Sequence, residues 1–114
     1  MHEVSIAQSL VEAVLREVES RGALKVVSVK TVVGGLTHIE PENLKFWYEE
    51  FVKATPLEGS RLVVDKRPVT VSCRQCQREF QVVGTSFVCP HCNVADVRVT
   101  SGDELILESI EVEE

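Results

Sequence analysis

No stretch of this chain approaches the roughly 18 consecutive apolar residues that cross a bilayer as a helix, so no transmembrane helix is expected. The first residues hold no basic region followed by an apolar core, so no secretory signal is expected and the cytoplasm is the expected location. Disulfides are then the lesser use of the four cysteines. Positive charge is short as well, with 12 Lys and Arg against 18 Asp and Glu and a net charge of −6. Nucleic-acid binding draws on many cationic contacts to phosphate, so this balance argues against it as the main activity. There is no G-x-x-x-x-G-K-[ST] loop for a nucleotide. Nor is there a Ser/His/Asp set, an HxxxH pair or a carboxylate pair at telling spacing, and the chain is not expected to be an enzyme. Repeats and low-complexity segments are absent too.

What remains is a chain of 114 residues, 44% hydrophobic and 26% charged, enough for one ordinary core and a small satellite. Ala7, Leu10, Val11, Val14 and Val18 recur at steps of three and four, predicting an amphipathic helix over 4–21. Ser5 with Gln8 fits a capping box and Gly22 a stop. Glu3, Glu12, Arg16, Glu17, Glu19 and Arg21 supply the solvated side. Lys25 to Val33 reads as a strand ended by Gly34-Gly35. Pro41 opens a second helix to about Ala54, with Leu44, Trp47, Tyr48 and Phe51 along one side as core packing. Arg61 to Asp65 is a second strand, an extended run continues to Ser72, and residues 103–112 form a last one. That strand is expected to return to the earlier pair, because it cannot bury its apolar side alone. Pro68 and Gly102 are candidate hinges. The expected fold class is α+β, two helices packed on a three-stranded sheet with an inserted four-cysteine module. The domains are then 1–69 plus 100–114, and 70–99.

The cysteines lie at Cys73-x-x-Cys76 and Cys89-x-x-Cys92, with twelve residues between the pairs. Two residues between cysteines let a tight turn aim both sulfurs at one ion, and two such knuckles complete a tetrahedron suited to Zn(II). Iron in a rubredoxin-like site would use the same ligands. Residues 79–83 and 85–88 are expected to form a hairpin around Gly84. So small a module lacks its own core, and the metal stabilises it directly. Four thiolates leave no open coordination position, which argues against zinc hydrolysis. His91, inside the second knuckle, is expected to be exposed rather than a ligand. Residues 70–99 hold Arg74, Arg78 and Arg98 against Glu79 and Asp96, which makes no basic patch.

Met1-His2-Glu3 offers a different chemistry. His2 is bulky, so the initiator methionine should be kept. The Met1 amine, the His2 amide and imidazole, and the Glu3 amide then lie within adjoining chelate rings. Such an all-nitrogen set suits a square-planar ion such as Ni(II) or Cu(II). Taken alone, a second-position histidine fits a disordered terminus equally well. His38, shortly before Pro41, reads as a loop residue.

Met1-His2-Glu3-Val4-Ser5, the double CxxC and the ending from Ser101-Gly102-Asp103-Glu104-Leu105 to Glu113 together resemble the HypA (also HybF) family over the whole chain. That family comprises nickel metallochaperones of [NiFe]-hydrogenase maturation. The resemblance implies nickel binding at Met1, His2 and Glu3, and structural zinc at Cys73, Cys76, Cys89 and Cys92. It further implies delivery to the hydrogenase large-subunit precursor with a HypB-type GTPase, and in some members service to urease. The alternative reading is a zinc-ribbon adaptor for protein or nucleic acid.

Overall fold

The computed structural model describes residues 2–22 and 25–113. Helix α1 spans Glu3–Arg21 and buries Ala7, Leu10, Val11, Val14 and Val18, the five residues that the periodicity selects. Its N-cap is His2, so Ser5 falls inside the first turn. There the Ser5 hydroxyl donates back to the His2 carbonyl at 3.1 Å, and the expected capping box does not form. Strand β1 (Lys25–Gly34) ends in a short 3₁₀ turn, Gly35–Thr37. Helix α2 (Pro41–Val52) has Pro in its first turn, where a missing N–H costs nothing. Leu44 and Tyr48 are fully buried, while Trp47 and Phe51 are half-buried and stack at 5.9 Å.

β1 and β2 (Arg61–Arg67) pair in parallel, which requires a crossover, and α2 supplies it. β6 (Leu105–Glu113) returns antiparallel to the other side of β1, giving the order β2-β1-β6. α1 packs on α2, and α2 packs on β2. Val26, Val29, Val33 and Leu62 close the core from the sheet side.

Between β2 and β6 the chain forms a second sheet, ordered β4-β3-β5, from β3 (Thr70–Cys73), β4 (Glu79–Gln81) and β5 (Val97–Ser101). The hairpin expected around Gly84 shrinks to a single bridge, Val83 to Ser86. The reason is competition. Glu79, Phe80 and Gln81 pair with Ser72, Val71 and Thr70 instead, which places Phe80 beside the fully buried Val71.

The second sheet joins the first where two glycines meet. The Gly34 amide donates to the Glu104 carbonyl and the Leu36 amide to that of Gly102, both at 2.8 Å. A Cβ at Gly34 would overlap the Gly102 carbonyl. Gly102 itself has φ +117° and lies against Val69, so both its backbone angle and its space call for glycine.

Candidate metal centres

The two CxxC knuckles are built alike. In the first, the Gln77 amide donates to the Cys73 carbonyl at 2.8 Å, and the Cys73 amide to that of Arg78 at 2.9 Å. In the second, the Asn93 amide donates to the Cys89 carbonyl at 2.8 Å, and the Cys89 amide to that of Val94 at 3.0 Å. Gln77 and Asn93 close these loops with left-handed backbones, φ 64° and 56°. Asparagine tolerates that region well, so the sequence carried a signal at Asn93 and none at Gln77.

The knuckles bring the sulfurs of Cys73, Cys76, Cys89 and Cys92 within 4.8 Å of one another. Cys73 and Cys89 are fully buried, the other two half-buried, and none is in a disulfide. The Cys76 amide, aided by that of Gln75 and opposed by burial, draws the Cys73 thiol down to about 7. The Cys92 thiol is pushed up to about 12, by its hydrogen bond to Cys76, by burial and by Cys73. Four thiolates so close repel one another, and a divalent cation at their centre removes that repulsion. Soft sulfur donors in a closed tetrahedral set fit zinc. His91 is exposed, with Arg78 Nη1 3.0 Å from its ring nitrogens. Arg74 pairs with Asp96 at 3.3 Å.

At the other end, His2 is exposed at the entrance to α1, and its side chain makes no cap hydrogen bond. Met1 lies outside the described residues. Glu3 departs from the expectation of a solvated side. It is only 3% exposed, and its carboxylate accepts the Glu40 amide at 3.0 Å. That bond, with a further one from the Glu3 amide itself, holds the carboxyl below its ordinary value against the effect of burial. The position of Glu3 follows from a partner 37 residues away at the start of α2, which helical periodicity cannot register. His38, two residues before Glu40, is exposed with φ 55°, and its amide donates to the Gly35 carbonyl. It borders a cavity of about 610 Å³ together with Lys66, Arg67, Val82 and Phe87.

Residues 1–112 match the family model described as hydrogenase/urease nickel incorporation, metallochaperone, HypA. The hydrogenase maturation factor HypA of Desulfitobacterium hafniense is 40% identical over 114 residues, covering 100% of both chains. The chain belongs to the HypA family. A hydrogenase maturation factor HybF of Salmonella typhimurium is 34% identical over 99% of this chain and 100% of its own. The solution structure of the nickel metallochaperone HypA from Helicobacter pylori superposes with a TM-score of 0.67 at 24% identity, covering 98% of this chain and 97% of that one. A second HypA solution structure reaches 0.70 at 25% identity, covering 99% and 97%. The α+β fold with a four-cysteine module thus agrees with these HypA structures, and the family is one of metallochaperones rather than enzymes. Among the described residues no helix is long and apolar enough to cross a membrane.

Proposed function

We propose that this HypA family member carries Ni(II) as cargo at its N-terminus and delivers it for [NiFe]-hydrogenase maturation, with zinc held structurally by Cys73, Cys76, Cys89 and Cys92. The nickel donors in this reading are the Met1 amine, the His2 amide and imidazole, and the Glu3 amide. One observation supports it above the others: His2 stands exposed, without a cap bond, at the first turn of α1. The first amides of a helix have no acceptor four residues earlier, so giving up their protons to a metal breaks no i to i−4 bond. At Glu3 it gives up only the bond from that amide to its own carboxylate, the Glu40 amide remaining. The positive end of the helix dipole also favours the negative charge of a deprotonated amide. Glu3 ties this turn to α2, so the donors rest on packed structure.

The reading divides the chain into a nickel domain, 1–69 plus 100–114, and a zinc domain, 70–99. It places the protein in the cytoplasm beside a HypB-type GTPase, with the hydrogenase large-subunit precursor or urease maturation proteins as recipients. Nickel titration of the untagged protein by calorimetry tests it. His2→Ala should weaken nickel binding by at least about tenfold, since it removes one of few donors. An N-terminal tag should act similarly by removing the free amine. Unaltered nickel affinity in His2→Ala would refute the site and leave the adaptor reading.

A further inference from the structure

Two helices over three strands leave one flank of the sheet bare. α2 lies on β2. β6 forms the opposite edge, and among the described residues no strand pairs with its outer side. A groove runs between β6 and α1. One part, about 330 Å³, is floored by Ile6, Ala13 and Leu105. The other, about 560 Å³, is bordered by Val18, Ile110 and Val112, and Leu107 belongs to both. From Ser5 to Arg21 the groove follows α1 for about 24 Å. Leu105 and Ile106 remain 46% and 48% exposed on the bare strand.

The charge on this flank identifies the occupant. From Asp103 onward the chain holds six acidic residues and no Lys or Arg. The inner neighbour of β6 answers that charge. Lys30 Nζ lies 3.7 Å from Glu108, the Ser28 hydroxyl donates to Glu111 at 3.4 Å, and Lys25 stands opposite Glu113. β1 is therefore a strand of lysines set among valines, and on the outer side of β6 the one cation lining the groove is Arg21, already paired with Glu17 at 3.3 Å. A second copy of β6 is a poor fit there, because self-pairing brings together two strands that carry glutamates and no Lys or Arg to offset them. Glu108 is also skipped in the register, with Lys30 opposite Ser109 and Thr31 opposite Leu107. Bulges and charge of this kind keep edge strands from joining their own copies.

We propose that the β6 flank docks an extended, lysine- or arginine-bearing segment of a partner protein. The segment adds a strand beside residues 109–113 and lays its apolar side chains in the groove under α1. This does not depend on the nickel reading.

The test uses the full-length zinc-loaded protein and a fluorescein-labelled peptide with the sequence of β1, Lys-Val-Val-Ser-Val-Lys-Thr-Val-Val-Gly. Anisotropy should rise and saturate. NMR shifts should fall on residues 105–113 and on Ile6, Ala13 and Val18, while β2 stays unmoved. A peptide with Lys25→Glu and Lys30→Glu should fail to bind. Glu108→Gln combined with Glu111→Gln should weaken the original peptide about fivefold, as for two cross-strand charge pairs. Both positions are exposed, so melting should stay within about 2 °C of wild type. No binding at 1 mM peptide, equal binding of the charge-reversed peptide, or shifts confined to other surfaces overturns the proposal. A concentration-dependent dimer in sedimentation, lost in the double Glu→Gln variant, overturns it in favour of a second copy.

Discussion

Tyr48→Phe and Ser60→Ala remove the same hydrogen bond, yet they should destabilise the fold by different amounts. The two hydroxyl oxygens are 2.7 Å apart, with Tyr48 0% and Ser60 4% exposed. Ser60 has one hydroxyl proton, and it goes to the Leu57 carbonyl at 2.6 Å. The Tyr48 hydroxyl must therefore be the donor to Ser60. Tyr48→Phe deletes that donor and leaves Ser60 bonded to Leu57, a loss of about 1 kcal/mol. Ser60→Ala strands the tyrosine hydroxyl in the core without an acceptor, a loss of about 2 kcal/mol. The Leu57 carbonyl keeps the Ser60 amide at 3.0 Å, so it adds little. Combining the two changes removes the stranded group, and the double variant should lose about 1 kcal/mol less than the sum. In a domain of this size 1 kcal/mol moves the melting temperature by about 4 °C. Circular dichroism melts of the zinc-loaded protein read all three variants.

The same pair has a pH signature. Burial raises the Tyr48 phenol above its ordinary 10.0, with Ser60 opposing more weakly. Above that pH the unfolded chain sheds the proton first, so the folded state binds more protons and stability falls as pH rises. Tyr48→Phe removes this alkaline loss. Equal losses from Tyr48→Phe and Ser60→Ala with no coupling, or an alkaline decline unchanged in Tyr48→Phe, would refute the donor chain.

Glu3 should show the opposite dependence. Its carboxyl is held below 4.5, chiefly by the Glu40 amide, so its contribution is present above that value and fades as pH falls through the lower folded one. Acid melts of wild type and Glu3→Gln should therefore converge below pH 4.5, and a constant gap between them would speak against the clamp. Stripping zinc, or changing Cys73 to Ser, should dismantle the β4-β3-β5 sheet while the helices of 19 and 12 residues keep most of their 222 nm signal. Collapse of that signal along with NMR dispersion at Val71 would show that the ribbon and the core fold as one unit.

Local patterns in the sequence marked the elements whose stability is local or strongly patterned. The apolar stripe of α1, Pro41 at the start of α2, and the spacing of the two CxxC pairs all carry their reasons within a few residues. The return of β6 to β1 was also legible, because an apolar strand at the end of the chain needs a sheet. Three features were not legible, and each depends on a contact distant in sequence. Glu3 reads as a solvated helix residue until the Glu40 amide is beside it. Residues 79–81 read as half of a local hairpin, but β3 takes them. Gly34 reads as a strand terminator, whereas the Gly102 carbonyl also occupies the space of its missing side chain. Composition and periodicity are silent on such contacts.

The two candidate centres also differ in what each permits. A cargo ion must be reached by the donors of a recipient before it leaves. At the cysteine cluster two of the four sulfurs belong to residues with no exposure, and four thiolates saturate a tetrahedral ion. An incoming ligand would have to break a thiolate bond inside the fold, and that loss would unmake the knuckle it belongs to. His2 faces solvent, and at the proposed nickel site a planar nitrogen set would leave the two faces of the ion approachable. The buried Glu3 carboxylate then resolves a conflict that an exposed terminus otherwise poses. Exposure favours exchange but leaves the donors free to scatter, and fixing the first turn of α1 against α2 limits that scatter while leaving the imidazole outside. On the proposed nickel reading, loss of the Glu3 clamp should therefore weaken retention of nickel more than it slows transfer, whereas loss of His2 should weaken binding itself by at least about tenfold.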